Sequence, residues 1–269
     1  MNQIHIVGCS PRSGTTLMAE MMGNCFDIDV KTEGEQRITI APPRQGKTLL
    51  SKTPKDIILI KDMLYFMQNL YVIYMLRDPR DVVVSMHPWD NDRYWSNLKV
   101  WKMWTTMGEE LKSHPRFITV RYEDLVMHPD ETQKIIEERL PFLKKMILFS
   151  DFHRKAKPSS YNMAALKGLR AVSTKSVGSW KNHKARLAGQ IQRFGSISRE
   201  LIAYGYEKDN SWENELSGVV PDLSGSHPSL FSSEEYINNK LRWNKLRAVR
   251  VLINHSKPFL FLKEKVLRK

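Results

Sequence analysis

The first stretch able to do chemistry is Gly8-Cys9-Ser10-Pro11-Arg12-Ser13-Gly14-Thr15-Thr16. Glycines at both ends permit backbone angles closed to other residues, and the amides between them can turn inward as a nest for an anion. Arg12 adds a fork of charged donors, and Thr15 and Thr16 add hydroxyls. A helix starting behind Gly14 supplies free N–H groups and the positive end of its dipole. Such a loop holds a phosphate or a sulfate. It departs from the nucleotide-hydrolysing pattern G-x-x-x-x-G-K-[ST]: five residues separate the glycines, and Thr15 stands where the lysine belongs. That departure argues against ATP or GTP hydrolysis, and against a P-loop small-molecule kinase.

A second set lies in Tyr74-Met75-Leu76-Arg77-Asp78-Pro79-Arg80-Asp81-Val82-Val83-Val84-Ser85. Arg77 at a strand tip can grip a phosphate with two parallel hydrogen bonds. A helix from Pro79 carries Ser85 round towards the same oxygens, and the plain alternative is an exposed ion-pair turn. Further chemical candidates are Lys52 at the end of Leu49-Leu50-Ser51-Lys52, Glu33 and Glu35 in Thr32-Glu33-Gly34-Glu35-Gln36-Arg37, and His87 just past Ser85. No spacing of His, Cys, Asp and Glu suggests a metal site.

Pro11-Arg12-Ser13-Gly14-Thr15-Thr16 resembles the 5′-phosphosulfate loop of the sulfotransferases that use 3′-phosphoadenosine 5′-phosphosulfate (PAPS). Arg77 with Ser85 resembles their 3′-phosphate motif. Ser173-Thr174-Lys175-Ser176-Val177-Gly178-Ser179-Trp180-Lys181-Asn182 is similar to the later loop that closes over the nucleotide. It implies contacts from Gly178, Trp180 and Lys181, although Trp180 also suits ordinary packing. Tyr122, in Arg121-Tyr122-Glu123-Asp124-Leu125, matches a strand end near the nucleotide or a core tyrosine. The resemblance covers residues 4–185, and only the motif stretches are specific.

The resemblance implies PAPS as co-substrate, an acceptor hydroxyl as partner and no required metal, because the departing nucleotide phosphate is already a stable anion. Lys52 stands where the family keeps a lysine near the bridging oxygen, and Arg12 shares the task of holding charge there. The branch acting on phenols and steroids carries a histidine two places after that lysine, whereas this chain has Pro54. Thr32 to Arg37 looks like the G-E-E-T-R segment of tyrosylprotein sulfotransferases, whose second glutamate is the base. Only one glutamate follows Gly34, so Glu35 is the nearest candidate, with Glu33 as the alternative and His87 as a group that could line the acceptor site. A carbohydrate or glycolipid hydroxyl is the expected acceptor, and a tyrosyl or small-molecule hydroxyl the alternative. A non-catalytic nucleotide- or polyanion-binding module is the rival outside enzymes.

The elements that must position these groups follow from periodicity. Ile4 to Val7, Leu49 to Lys52, Tyr71 to Leu76 and Phe117 to Val120 read as short buried strands. Helical patterns follow from Thr15, Pro54 and Pro79 and over 96–112, 131–140 and 184–203. Strands alternating with helices predict an α/β fold of the P-loop NTPase type: a parallel sheet of about five strands with helices on both faces. We expect a catalytic domain over 1–206, then a polar linker or loose cover and a basic amphipathic extension over 207–269.

The 269 residues carry a net charge of +13, of which residues 240–269 hold +9, leaving about +4 for the body. A general nucleic-acid binder is therefore not expected. In the extension, bases alternate with Leu241, Trp243, Leu246, Ile253 and Phe259, which suits either packing on the domain or peripheral contact with an anionic membrane surface. Two cysteines, no apolar run of eighteen residues and no basic n-region after Met1 predict a cytoplasmic protein, with peripheral inner-membrane contact as the tail's alternative role.

Overall fold

Strand β1 (Asn2–Gly8) is buried on both sides from Gln3 to Gly8, which suits the centre of a parallel sheet. The computed structural model describes residues 1–40, 45–87, 90–166 and 168–226, together with Leu246. β1 pairs with β3 (Thr48–Lys52) on one side and β4 (Leu70–Leu76) on the other. β2 (Val30–Lys31) and β7 (Phe117–Arg121) lie at the edges, giving the order β2-β3-β1-β4-β7 with every pair parallel. Gly8 stands opposite Met75, so the tips of β1 and β4 end side by side.

Both faces are covered. Met18, Met21 and Met22 of α1 (Thr15–Cys25) pack with Ile4, Ile6 and Ile73, joined by Leu125 of α5 (Tyr122–Met127) and Ile136 of α6 (Pro129–Arg139). On the other face Ile60 and Leu64 of α2 (Ile57–Phe66) and Trp101 and Trp104 of α4 (Leu98–Glu109) pack with Val7, Val72 and Leu76. Burying each such aliphatic side chain is worth about 1.5–3 kcal/mol, so the sheet and both helix layers fold as a unit. A third cluster joins Val83 of α3 (Pro79–Val83) to Trp180, Leu187 of α9 (Lys184–Phe194), Leu201 of α10 (Ser198–Ala203) and Trp212. Short helices α7 (Phe152–Lys155) and α8 (Ser160–Leu166) close the α1 side.

Several boundaries differ from the sequence reading. The helix from Pro79 stops at Val83, so Ser85 stands in the loop beyond it. The span 184–203 is two helices, broken where Gly195 takes φ +82°. The hairpin of β5 (Met86–His87) and β6 (Asp90–Tyr94) and the two-residue β2 are too short and polar to show a period in the sequence. Residues 207–226 form a packed cover: Glu207 pairs with Arg80, Trp212 meets Trp180 edge-on, and Gly189 has no room for a Cβ beside Asp222. Apart from Leu246, the basic extension lies outside the described residues. No helix among the described residues is long and apolar enough to cross a membrane.

Candidate active site

The loops leaving β1 and β4 open on one cavity of about 460 Å³. Pro11, Arg12, Gly14, Thr15, Thr16, Arg77, Ser85, Tyr122 and Glu35 all border it. The two strand-tip motifs also touch each other. Arg12 Nε donates to Ser85 Oγ at 3.1 Å, and Arg77 Nη1 donates to the Arg12 carbonyl at 2.8 Å. Arg12 takes φ 69°, uncommon for a residue with a Cβ, and its carbonyl is turned towards Arg77.

Gly14 is required at its place. It has φ +93°, and a Cβ there would stand 2.4 Å from Tyr122 Cδ2. It precedes α1 without a side-chain cap, leaving the helix's first N–H groups for another partner. Tyr122 also carries the Arg77 guanidinium over its ring, 4.2 Å from the centroid, and shares a 2.6 Å hydrogen bond with Ser176 Oγ. Arg77 Nη2 donates to the Ser176 carbonyl at 2.9 Å, while the Trp101 indole N–H donates to the Arg77 carbonyl at 3.0 Å. Two buried donors in this assembly, Ser13 Oγ and Arg77 Nε, have no protein partner. Orphaned donors beside a glycine-permitted cradle fit a polyanionic ligand.

Lys52 ends β3, is 3% exposed and does not border the cavity. Burial holds its ammonium below the usual lysine range, opposed by the charges of Glu35 and Glu20 and reinforced by Arg12. Glu35 is exposed and borders the cavity, whereas Glu33 is exposed away from it. The Glu35 loop is laced to β3: Thr32 N donates to the Leu50 carbonyl and Gln36 N to the Lys52 carbonyl, both at 3.0 Å. His87 belongs to β5, and its side chain lies outside the described ones.

The third motif acts differently from its sequence reading. Gly178, Trp180 and Lys181 do not border the cavity. Trp180 is buried in the third cluster under Arg80, and Lys181 pairs with Glu215 at 3.3 Å. Gly178 reaches φ +73° and donates its N–H to Asp81 Oδ2 at 2.8 Å. Asp81 also accepts from Ser179 Oγ and Trp180 N, both at 3.0 Å, and so fastens this loop to α3. The cavity-lining members are Ser173, Lys175, Ser176 and Ser179. Asp78 and Arg80 form the buried ion pair of the R-D-P-R-D turn, bonded at 2.7 Å and more. Burial pushes the Asp78 carboxyl above its ordinary value despite Arg80.

Apart from Lys175, the other lining groups lie outside the motifs read from the sequence. Arg170 and Lys175 add positive charge, Leu17, Phe152, Leu166 and Val172 add apolar surface, and Trp95, Met86 and His183 stand beyond Ser85. Arg170 and His183 follow no periodicity, and only the fold gathers them. The cavity thus combines two loops rich in donors, an apolar wall and the Glu35 carboxylate, with the buried Lys52 ammonium behind it feeling the Glu35 charge.

No protein-family model matches this chain, and no curated protein sequence does. Solved structures do. A sulfotransferase domain from the curacin biosynthetic pathway is similar over 67% of this chain and 91% of its own, at 14% identity and a TM-score of 0.48. The mouse sulfotransferase SULT7A1, complexed with PAP, is similar over 80% of this chain and 88% of its own, at 16% identity and a TM-score of 0.45. Retinol dehydratase, in complex with androsterone and inactive cofactor PAP, is similar over 91% of this chain and 80% of its own, at 14% identity and a TM-score of 0.32.

Proposed function

We propose that this chain transfers a sulfuryl group from 3′-phosphoadenosine 5′-phosphosulfate to an acceptor hydroxyl. The observation that carries the reading is the contact of Arg12 with Ser85 and of Arg77 with the Arg12 carbonyl at the mouth of one cavity. A nucleotide whose ribose carries anionic groups on its 3′ and 5′ oxygens, with a flat base on C1′, suits these donors and the apolar surface beside them.

In this reading Arg12, Thr15, Thr16 and the amides before Gly14 hold the 5′ end of the donor. Arg77 and Ser85 hold the 3′ phosphate, and Leu17, Phe152 and Val172 offer the base its apolar wall. The donor supplies the sulfuryl group, and its bridging oxygen leaves with the nucleotide phosphate. Lys52 and Arg12 hold positive charge near that oxygen, where preorganised charge is most effective. Glu35 takes the proton from the acceptor hydroxyl. The chain's work is positioning and charge, as in phosphoryl transfer.

For the acceptor, we propose a hydroxyl on a saccharide or glycolipid. Pro54 at the cavity edge in place of a phenol-type histidine supports this, as does Trp95, whose broad face suits a sugar ring. Residues 1–206 supply the chemistry in this reading. We propose further that the basic end of the chain, residues 240–269, contacts an anionic membrane surface from the cytoplasmic side.

A thermal-shift panel tests the donor. Adenosine 3′,5′-bisphosphate should raise the melting temperature, and ATP or GTP with magnesium should not. Selective stabilisation by ATP would move the protein to the kinases. Labelled PAPS should then be offered to free saccharides, galactosylceramide in phosphatidylcholine vesicles, a tyrosyl peptide and a simple phenol. Bisphosphate binding with no transfer to any of them would leave a binding module.

A further inference from the structure

A buried chain of polar groups connects the strand end that carries Lys52 to the loop that carries Glu35. His5 in β1 stands in register with Ser51 in β3, and its Nδ1 is 2.8 Å from Ser51 Oγ. Its Nε2 lies 3.3 Å from Asp56 Oδ2, in the short turn before α2. Asp56 Oδ2 accepts the Ile38 amide at 2.7 Å, and Asp56 Oδ1 pairs with Arg37. His5 and Asp56 are fully buried, and Ser51 is 3% exposed. No substrate reaches these three, so they form no Ser–His–Asp active site.

The ends of this chain matter. Ser51 is the neighbour of Lys52, whose carbonyl holds the Gln36 amide. Arg37 and Ile38 follow Glu35 by two and three residues. The segment carrying Glu35 is therefore fixed twice, by β3 at Gln36 and by the Asp56 carboxylate at Arg37 and Ile38. An exposed carboxylate on a loop needs such support to stay on one side of a cavity. A buried carboxylate with a histidine, an arginine and an amide around it is costly to assemble, and hydrophobic packing alone needs none of these groups.

We propose that His5, Asp56 and Arg37 are positioning residues that lock the Glu35 loop to the Lys52 strand end. This rests on the sulfuryl-transfer reading for its consequence in turnover, but not for its consequence in the loop. Asp56 sits apart from the phosphate grips, so the donor site stays whole when the lock is broken.

The test uses the full chain as wild type, Asp56→Asn, Arg37→Gln and Arg37→Lys. Hydrogen exchange at the amides of 32–38 should quicken at least about tenfold in Asp56→Asn and Arg37→Gln, because a charge-assisted bond is lost. Exchange over 11–16 should not change, and calorimetry should give the same affinity for adenosine 3′,5′-bisphosphate. Turnover, with whichever acceptor of the panel is sulfated, should fall about 10- to 100-fold from misplacement of the base. Arg37→Lys should keep most of it. In a Glu35→Gln background Arg37→Gln should cause no further loss, since the lock acts through Glu35. Unchanged exchange at 32–38 overturns the proposal, and so does an equal further loss in the Glu35→Gln background. Should no acceptor be sulfated, the function reading falls while exchange still decides the lock.

Discussion

Arg12 Nε and Ser85 Oγ meet at 3.1 Å although 73 residues separate them. The contact exists because β1 and β4 are parallel neighbours and both loops leave the same C-terminal end of the strands. In the proposed complex these donors turn from each other to the ligand.

Removing one grip should weaken nucleotide binding without unfolding the protein. Arg77→Ala loses charged donors, each worth about 1.5–3 kcal/mol, so affinity for adenosine 3′,5′-bisphosphate should fall about 10- to 100-fold. Ser85→Ala should fall no more than about tenfold. Calorimetry checks both. Wild-type affinity in an Arg12→Ala/Arg77→Ala protein would remove the basis of the assignment.

The chemical step should separate from binding. Lys52→Ala should lower kcat about 10²- to 10³-fold through loss of charge stabilisation, with bisphosphate affinity near wild type. Glu35→Gln should lower kcat about 10²- to 10⁴-fold. Glu33→Gln should keep wild-type kcat, because its side chain is exposed and away from the cavity. A Glu33→Gln protein as slow as Glu35→Gln would reassign the base.

Asp81 tests the role of the third motif. It accepts three hydrogen bonds from residues 178–180. Asp81→Asn keeps the shape and replaces one acceptor oxygen with a donor facing a donor. We expect protease cutting between Ser173 and Ser179 to quicken, and bisphosphate affinity to drop about tenfold. Unchanged proteolysis would mean the loop is held elsewhere.

Asp56 should mark the acid limit of stability. Burial pushes its carboxyl up, but His5, Arg37 and the Ile38 amide outweigh burial and hold it below the ordinary 3.8. The unfolded chain therefore binds this proton more tightly than the folded one. The resulting stability is present above pH 3.8 and fades as the pH falls through the folded value. Urea unfolding at stepped pH should show the wild type losing stability more steeply than Asp56→Asn below about pH 4. Parallel curves would show that Asp56 keeps an ordinary affinity for protons.

The strand cores and the two loops that meet at the cavity were legible because each is written locally. Tyr71 to Leu76 is apolar throughout, and Gly8, Gly14 and Arg12 announce a turn with charged donors. Ser85 was placed correctly at the cavity, although by a loop and not by a longer helix. Trp180 and Lys181 misled for a physical reason: neighbours in a motif need not face the same way, and here backbone N–H groups bind Asp81 while the indole goes to the core. Arg170, Trp95 and His183 share no period with these loops, and tertiary packing alone brings them to one cavity. The buried His5–Asp56–Arg37 chain joins β1, a short turn and a loop, a combination that no spacing reveals.

The register of Gly8 against Met75 has one more consequence. The roots of the two cavity loops stand on a gauge made of main chain, the spacing of neighbouring strands at about 4.8 Å. Side-chain replacement elsewhere leaves that gauge at its setting. A chain built this way can drift far in sequence while the two loops stay side by side and, in the proposed reading, keep their hold on one nucleotide.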